Sequence, residues 1–317
     1  MNNSQKILVI GAGVMAKEYL KALESLKFKK IFVLTRSKKS AYKIRENKNV
    51  CESFSGGLNK LKDIYNDFDY FVISCPIENL LEYIYFLQES GKTNILVEKP
   101  VSLKSKEISV FNKKFPKNRI IPALNRLYFP SIIYLRKLLK NSKPTSAFFS
   151  FTEWTDKINY KLYSKKVTER WGIANSIHVI YSIFDLIGYP KTLNAYVGGK
   201  KKIKWHSSGS IFSGSGITEL NIPFTYLSDW NSSGRWGIRI NTNKGSFILE
   251  PMEELLFQKK NCLDKKIILP NWSGNTKCGV AEMLKDWLSK KSKNFKPSLI
   301  TMQKSIRTAE KIVYQMK

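Results

Sequence analysis

Histidine, cysteine and acid are all scarce in this sequence. Its 317 residues hold two histidines, four cysteines, and 25 aspartates and glutamates against 54 lysines and arginines. Cys51, Cys75, Cys262 and Cys278 are spaced neither as a zinc knuckle nor as a redox pair, so they read as free thiols of a reducing compartment. No metal-ligand cluster and no nucleophile triad stands out, and no metal is expected. No apolar run approaches the roughly 20 residues that span a bilayer. The opening MNNSQKILVIGAG carries an apolar stretch too short for a secretory signal. The expectation is a cytoplasmic protein. Internal repeats and low-complexity linkers are absent as well.

The scarcity of acid leaves a formal net charge of +29. The lysines are spread nearly everywhere, in short groups such as Lys200–Lys202, with no arginine-rich arm and no aromatic-basic RNA signature. Lys, Asn, Ile, Tyr and Phe are the residues that A/T-rich genes favour, and the charge reads as part of that bias. Neither a nucleic acid nor a membrane is expected as a partner. A positive field would still favour anionic substrates such as phosphates or nucleotide sugars.

What is present is apolar residue in quantity, 43% along the whole length, enough for sizeable cores. At roughly 100–200 residues per domain the length suggests two. From KILVI to RIIPALN, short buried-strand runs alternate with helical patterns, which implies a parallel sheet covered on both faces. After residue 124 the texture changes to a string of extended segments, with FPSIIYLRKLLKN, one long stretch RWGIANSIHVIYSIFDLIG and the ending ITMQKSIRTAEKIVYQMK as helices. The expectation is an N-terminal doubly wound Rossmann domain over 1–124. A C-terminal α+β domain with a largely antiparallel open sheet would follow over 125–317.

Gly11-Ala12-Gly13-Val14-Met15-Ala16 fits G-x-G-x-x-A between a strand and a helix, the context that dinucleotide binding requires. Gly11 permits the tight turn, Gly13 lets backbone approach a pyrophosphate, and the helix N-terminus favours its charge. Strand two ends in Thr35-Arg36-Ser37-Lys38, where an NAD site would place a carboxylate for the ribose hydroxyls. No acid is present. Arg36 could pair with a 2′-phosphate and Ser37 could donate to it, so NADP is preferred over NAD; the other reading is a solvated basic loop.

Glu98-Lys99-Pro100 at the end of the fifth strand resembles the E-K-P motif of the Gfo/Idh/MocA oxidoreductase family. Asn125-Arg126-Leu127-Tyr128-Phe129-Pro130 is similar to that family's N-R-R-F-x-P, with Leu127 and Tyr128 as departures. Ser74-Cys75-Pro76 stands for its A-T-P turn, and Asn79 for its frequent histidine. Ala174-Asn175-Ser176-Ile177-His178 resembles its D-x-x-x-H helix start. GRWGI (234–238) and EPMEEL (250–255) look like a subgroup tied to bacterial surface carbohydrates.

The resemblance implies a nicotinamide-dependent oxidoreductase acting on a sugar or sugar derivative, and a homo-oligomer, dimer or tetramer. It implies Lys99 and His178 as catalytic residues, with Cys75, Pro76, Asn79, Glu98 and Asn125 at the cofactor and Arg126 and Asn175 at the substrate. Residue chemistry agrees: oxidising an alcohol removes a hydride and a hydroxyl proton, for which His is the usual base and a lysine can polarise the oxygen. The family's Asp, four residues before the His, is Ala174 here. That opens a second reading, a non-catalytic dinucleotide- or sugar-sensing protein. Trp154, Trp171 and Trp236 read either as aromatic core or as faces for a sugar ring, and Glu153 and Asp156 either as hydroxyl ligands or as surface acids. His178 is expected in a cleft beside Lys99, His206 in a loop, and a cis peptide before Pro100.

Overall fold

The computed structural model describes residues 4–269, 276–289 and 297–316. The chain divides into two units. The first comprises residues 1–102, 106–125 and 274–302, and the second 103–105, 126–273 and 303–317.

The first unit alternates strand and helix: β1 Lys6–Ile10, α1 Val14–Ser25, β2 Lys30–Thr35, α2 Lys38–Arg45, β3 Val50–Ser55, α3 Gly57–Ile64, β4 Tyr70–Ile73, α4 Ile77–Glu89, β5 Ile95–Glu98, α5 Ser105–Lys114 and β6 Ile121–Ala123. The sheet runs β3-β2-β1-β4-β5-β6 with every pairing parallel. Ile7 to Ile10, Phe71 to Ile73 and Ile95 to Val97 are buried without break, as expected of strands covered on both faces. The strand order reverses between β1 and β4, the point outside which open α/β sheets bind their ligands.

The second unit contains α6 Pro130–Lys140, β7 Pro144–Phe151, α7 Lys165–Thr168, α8 Trp171–Ala174, α9 Ile177–Ile187, β8 Pro190–Gly198, β9 Ile211–Thr218, β10 Pro223–Asp229, β11 Trp236–Thr242, β12 Gly245–Leu249, β13 Leu255–Lys259 and β14 Lys265–Leu269. Its sheet runs β14-β13-β12-β11-β7-β10-β9-β8, and only β7 and β10 pair in parallel. Helix α9 covers one face, burying Phe184 edge-on against Phe149 (5.6 Å) and Phe224 (5.2 Å). Aromatic pairs of this geometry add about 0.5–1.5 kcal/mol each beyond burial. On the other face Phe148, Tyr196, Ile217 and Leu227 stay exposed.

Both fold classes expected from the sequence are present, and several details differ. Residues 255–269 form two strands, and α10 Val280–Leu288 returns to the first unit, lying against α1 with Trp287 edge-on to Tyr70 at 5.4 Å. The second domain therefore does not run unbroken from 125 to 317; α11 Leu299–Tyr314 carries the chain from the first unit into the second. The stretch ITELNIPFTYL, whose pattern reads as one extended segment, is divided between β9 and β10 by a turn. The helix expected over 170–188 is broken at Asn175 and Ser176, whose side chains bond to Glu153. Asn and Ser compete in this way with the helical backbone. Among the described residues no helix is long and apolar enough to cross a membrane.

His206 is not the loop residue its lysine- and serine-rich surroundings suggest. It is fully buried, its ring 4.7 Å from Trp230, with Nδ1 donating to the Gly209 carbonyl at 2.9 Å. Burial lowers its pKa from 6.5 to about 4. The unfolded chain takes up this proton as pH falls through 6.5, while the folded one resists it until about 4. The contribution to stability is thus complete above the upper value and shrinks as pH falls, by about 2 kcal/mol at pH 5. Thermal unfolding followed between pH 7.5 and 5 should show that loss, and His206→Gln should flatten it. An equal slope in the variant would place the dependence on other groups.

Candidate functional site

In the first unit, three strand ends converge on the glycine turn. The Gly11 N–H donates to the Leu34 carbonyl at 2.8 Å, and the Ser74 N–H to the Ile10 carbonyl at 2.7 Å. Gly11 has φ +126°, and a Cβ there would lie 2.3 Å from the Ser74 carbonyl oxygen. Both facts demand glycine. Gly13 differs: its φ of −74° is ordinary, and among the described residues nothing lies within 4 Å of where a Cβ would stand. It opens α1, whose N-terminus has no side-chain cap and no acid in its first turn, with Val14 exposed. Open space over a helix end with unclaimed N–H donors fits a pyrophosphate.

At the end of β2 the two hydroxyls are engaged within the loop. Thr35 is buried and its hydroxyl donates to the Ser37 carbonyl at 2.9 Å; the Ser37 hydroxyl caps α2 by accepting the Ser40 N–H at 3.2 Å. Arg36 remains exposed above Gly57 and close enough to Tyr83 to act on it. Burial pushes the Tyr83 phenol up to about 12 against that pull. Cys75 is likewise raised by burial, to about 12, so it stays a neutral thiol beside Pro76, the residue just before α4. The Asn79 N–H donates to the Pro76 carbonyl.

Glu98 ends β5 buried, accepting the Tyr19 hydroxyl of α1. Burial raises its pKa, opposed by Lys99, the Tyr19 bond and Lys277. The Lys99–Pro100 peptide is cis, as expected, and Val101 follows fully buried at φ +74°, a conformation β-branched residues seldom adopt. Asn125 is buried and donates to the Cys278 carbonyl at 2.9 Å, which fixes the turn that carries Lys277. The Lys277 ammonium reaches Met15 Sδ at 3.1 Å. Nothing in the local sequence marks Lys277, because its neighbours in space come from residues 15 and 98.

In the second unit the expected substrate residues gather round Trp236 at the start of β11. The Arg126 guanidinium carbon lies 4.4 Å from the Trp236 ring centre, that of Arg235 4.9 Å, and the His178 ring 6.0 Å. His178 is buried in the first turn of α9, and the Trp236 indole Nε1 is a buried donor without a hydrogen-bond partner among the described residues. Arg235 also stacks on Trp154 at 4.7 Å, whose Nε1 donates to the Gly234 carbonyl at 2.8 Å. Behind them sits Glu153, 2% exposed, accepting from Asn175 Nδ2 at 3.0 Å and Ser176 Oγ at 2.7 Å, with Arg235 3.9 Å away. Burial raises the Glu153 pKa against these partners. Of the two acids left open by the sequence, Glu153 is structural to the cluster and Asp156 is exposed.

A family model described as Shikimate / quinate 5-dehydrogenase matches residues 1–82. No curated protein sequence matches the chain. Among solved structures, an oxidoreductase from Agrobacterium radiobacter in complex with NAD+, L-tartaric acid and magnesium is 15% identical with a TM-score of 0.80, over 98% of this chain and 95% of that one. A levoglucosan dehydrogenase in complex with NADH is 15% identical, TM-score 0.76, over 98% and 96%. A UDP-N-acetylglucosamine 3-dehydrogenase from Acidithiobacillus ferrooxidans is 12% identical, TM-score 0.73, over 98% and 96%. At these identities the likeness is one of fold.

The two glycines separate folding from binding. Gly11→Ala should destabilise the protein by about 2–4 kcal/mol, through overlap with Ser74 and a disfavoured φ. Gly13→Ala should leave stability within about 1 kcal/mol yet weaken dinucleotide binding at least about tenfold. Denaturant unfolding and cofactor titration of both variants check this, and normal dinucleotide affinity in Gly13→Ala would remove the turn from the site. With a parallel six-stranded unit, a second unit built on an eight-stranded sheet, and matches along nearly its full length, this chain has the fold of Gfo/Idh/MocA-type oxidoreductases.

Proposed function

We propose that the chain is an NAD(P)-dependent oxidoreductase that moves a hydride between nicotinamide and a hydroxyl or ketone of a sugar derivative, a nucleotide-linked or amino sugar being the favoured substrate. The observation that carries this is the uncapped start of α1 over the open Gly13, in the same unit as Glu98-Lys99-Pro100. Likeness in fold to dehydrogenases of levoglucosan and of UDP-N-acetylglucosamine supports the substrate class.

Bound nicotinamide would supply the hydride acceptor or donor; the rest falls to side chains. Gly11, Ala12, Gly13, Val14 and Met15 would hold the pyrophosphate through backbone N–H groups. Lys277 would add a cation at Met15. Arg36 would read a 2′-phosphate, with Thr35 and Ser37 holding its loop in shape. Cys75, Pro76 and Asn79 would line the adenosine end. Glu98 and Asn125 act as positioning residues, the first beneath Lys99 and the second under the turn of Lys277. Lys99 would hold the substrate oxygen as a cation, and an imidazole nitrogen of His178 would take or return the hydroxyl proton. Arg126, Trp154 and Asn175 would orient the sugar, and Glu153 keeps Asn175 and Ser176 fixed ahead of His178. Pairing of the exposed face of Phe148, Tyr196, Ile217 and Leu227 with a second copy would form the homo-oligomer.

Ala174 favours a second reading, a dinucleotide- or sugar-sensing protein without turnover, since it stands four residues before His178, where the resemblance implies an acid. Turnover with any sugar derivative would dismiss it.

Titration with both reduced cofactors tests the assignment. NADPH should bind more tightly than NADH, because a charge-assisted arginine–phosphate contact contributes roughly 1.5–3 kcal/mol, about ten- to a hundredfold. Arg36→Ala should erase the preference, whereas Lys277→Met should weaken both cofactors alike. Lys99→Ala should abolish most turnover while leaving dinucleotide affinity within about tenfold. Equal binding of the two cofactors by the wild type would leave Arg36 as a solvated loop residue, and normal turnover in Lys99→Ala would take Lys99 out of the mechanism.

A further inference from the structure

The second unit has a cavity of about 340 Å³ away from Trp236, between the short turns at Tyr160–Leu162 and Lys165–Thr168 and the stretch that carries Lys204 and Trp205. Its walls combine two features that a surface seldom concentrates together. One is aromatic: Tyr160 and Trp205 lie nearly parallel in the wall (6.1 Å, 19°) and Tyr163 lines it as well, while the buried Trp171 backs them, edge-on to Trp205 at 5.6 Å and to Tyr163 at 5.1 Å. Tyr160 and Tyr163 remain 37% and 48% exposed. The other is positive charge. Lys161, Lys165 and Lys204 border the cavity with Glu169 as the one acid among its lining residues, and that acid lies 3.8 Å from Lys165. Lys161 and Lys204 have no acidic partner among the described residues.

A neutral sugar would leave the ammonium groups repelling one another. A bare phosphate would leave the ring faces in water. A flat base stacked on the aromatic wall, with phosphates at the lysines, satisfies both. Trp171 ties this cavity to the Trp236 cluster of the same unit. Its ring meets Tyr163 and Trp205, and its carbonyl accepts the Asn175 N–H at 2.8 Å, so it joins the cavity wall to Asn175 and Ser176, which Glu153 holds with Arg235 near.

We propose that this cavity binds the nucleoside diphosphate portion of a nucleotide-linked sugar, the sugar itself lying at the Arg126–His178–Trp236 cluster. The inference rests on reading the second unit as the substrate-binding one.

The experiment titrates the full chain by calorimetry with UDP, dTDP and GDP, and with uridine and inorganic pyrophosphate as the two halves. At least one diphosphate should bind at one site per chain, more tightly than either half. The exposed pair Lys161→Glu/Lys204→Glu should raise its Kd at least about tenfold while moving the NADPH Kd by no more than about twofold. Trp205→Ala should weaken it as well, with an unfolding curve to show that the variant is folded. Failure of all three diphosphates to bind overturns the proposal. So does pyrophosphate binding as tightly as they do, or a diphosphate site that NADPH displaces and the lysine pair does not affect. Failure of the oxidoreductase reading shows separately, as absence of NADPH binding and turnover in a chain that still binds the diphosphate.

Discussion

Everything in the first unit depends on how closely β1 and β4 approach at their carboxyl ends. The Ser74 carbonyl occupies the space in which any side chain at position 11 would stand. That contact lets the chain turn at once from β1 into α1 and puts the helix end over the strand-order reversal, with Lys99 and Lys277 on neighbouring turns. A bulkier residue would push β1 from β4 and move the helix end with it. Helix dipole, backbone donors and ammonium groups act over a few ångströms, so their usefulness rests on that one close approach.

Each unit also keeps a carboxyl group out of water within its candidate site, Glu98 in the first and Glu153 in the second, and the two are held differently. Glu98 has a phenol against it and cations nearby; its proton affinity is raised, and its service is to fix where β5 ends. Glu153 receives an amide and a hydroxyl from the break between α8 and α9, with a guanidinium near. Leaving either carboxyl without these partners would cost several kcal/mol. The partners thus define the local backbone as firmly as the apolar core does. Ala174 gains significance here: the acid missing from the helix is accompanied by a buried acid at the end of β7, one residue beyond Thr152, which orders the same helix start from outside it.

What the sequence revealed and what it concealed divide along the range of the forces involved. The glycine turn, Glu98-Lys99-Pro100 and the absence of acid after β2 were legible because each is a constraint among residues adjacent in the chain. Asn125 was placed at the site, but its amide serves the turn of Cys278, more than 150 residues away. Arg235 and Trp236 acquire meaning only when β11 lies beside β7, and the break at Asn175 only when Glu153 is beneath it. His206 was misread for the same reason. Its lysine-rich neighbours in sequence gave no sign of Trp230, Phe212 and Tyr314 around its ring. Lys277 lay in a segment whose return to the first unit no periodicity could announce.

That return has a consequence for how the protein comes into being. Strands β1 to β6 are finished once residue 123 is made, yet the α10 surface that covers α1 arrives only with residue 288. At synthesis rates of about 5–20 residues per second, the apolar flank of α1 waits for roughly 8–30 s on a nascent chain that is meanwhile building another sheet. Tyr19, Leu20 and Leu23 belong to that helix. During this interval the first unit holds its completed sheet while α1 still lacks the α10 surface that covers it.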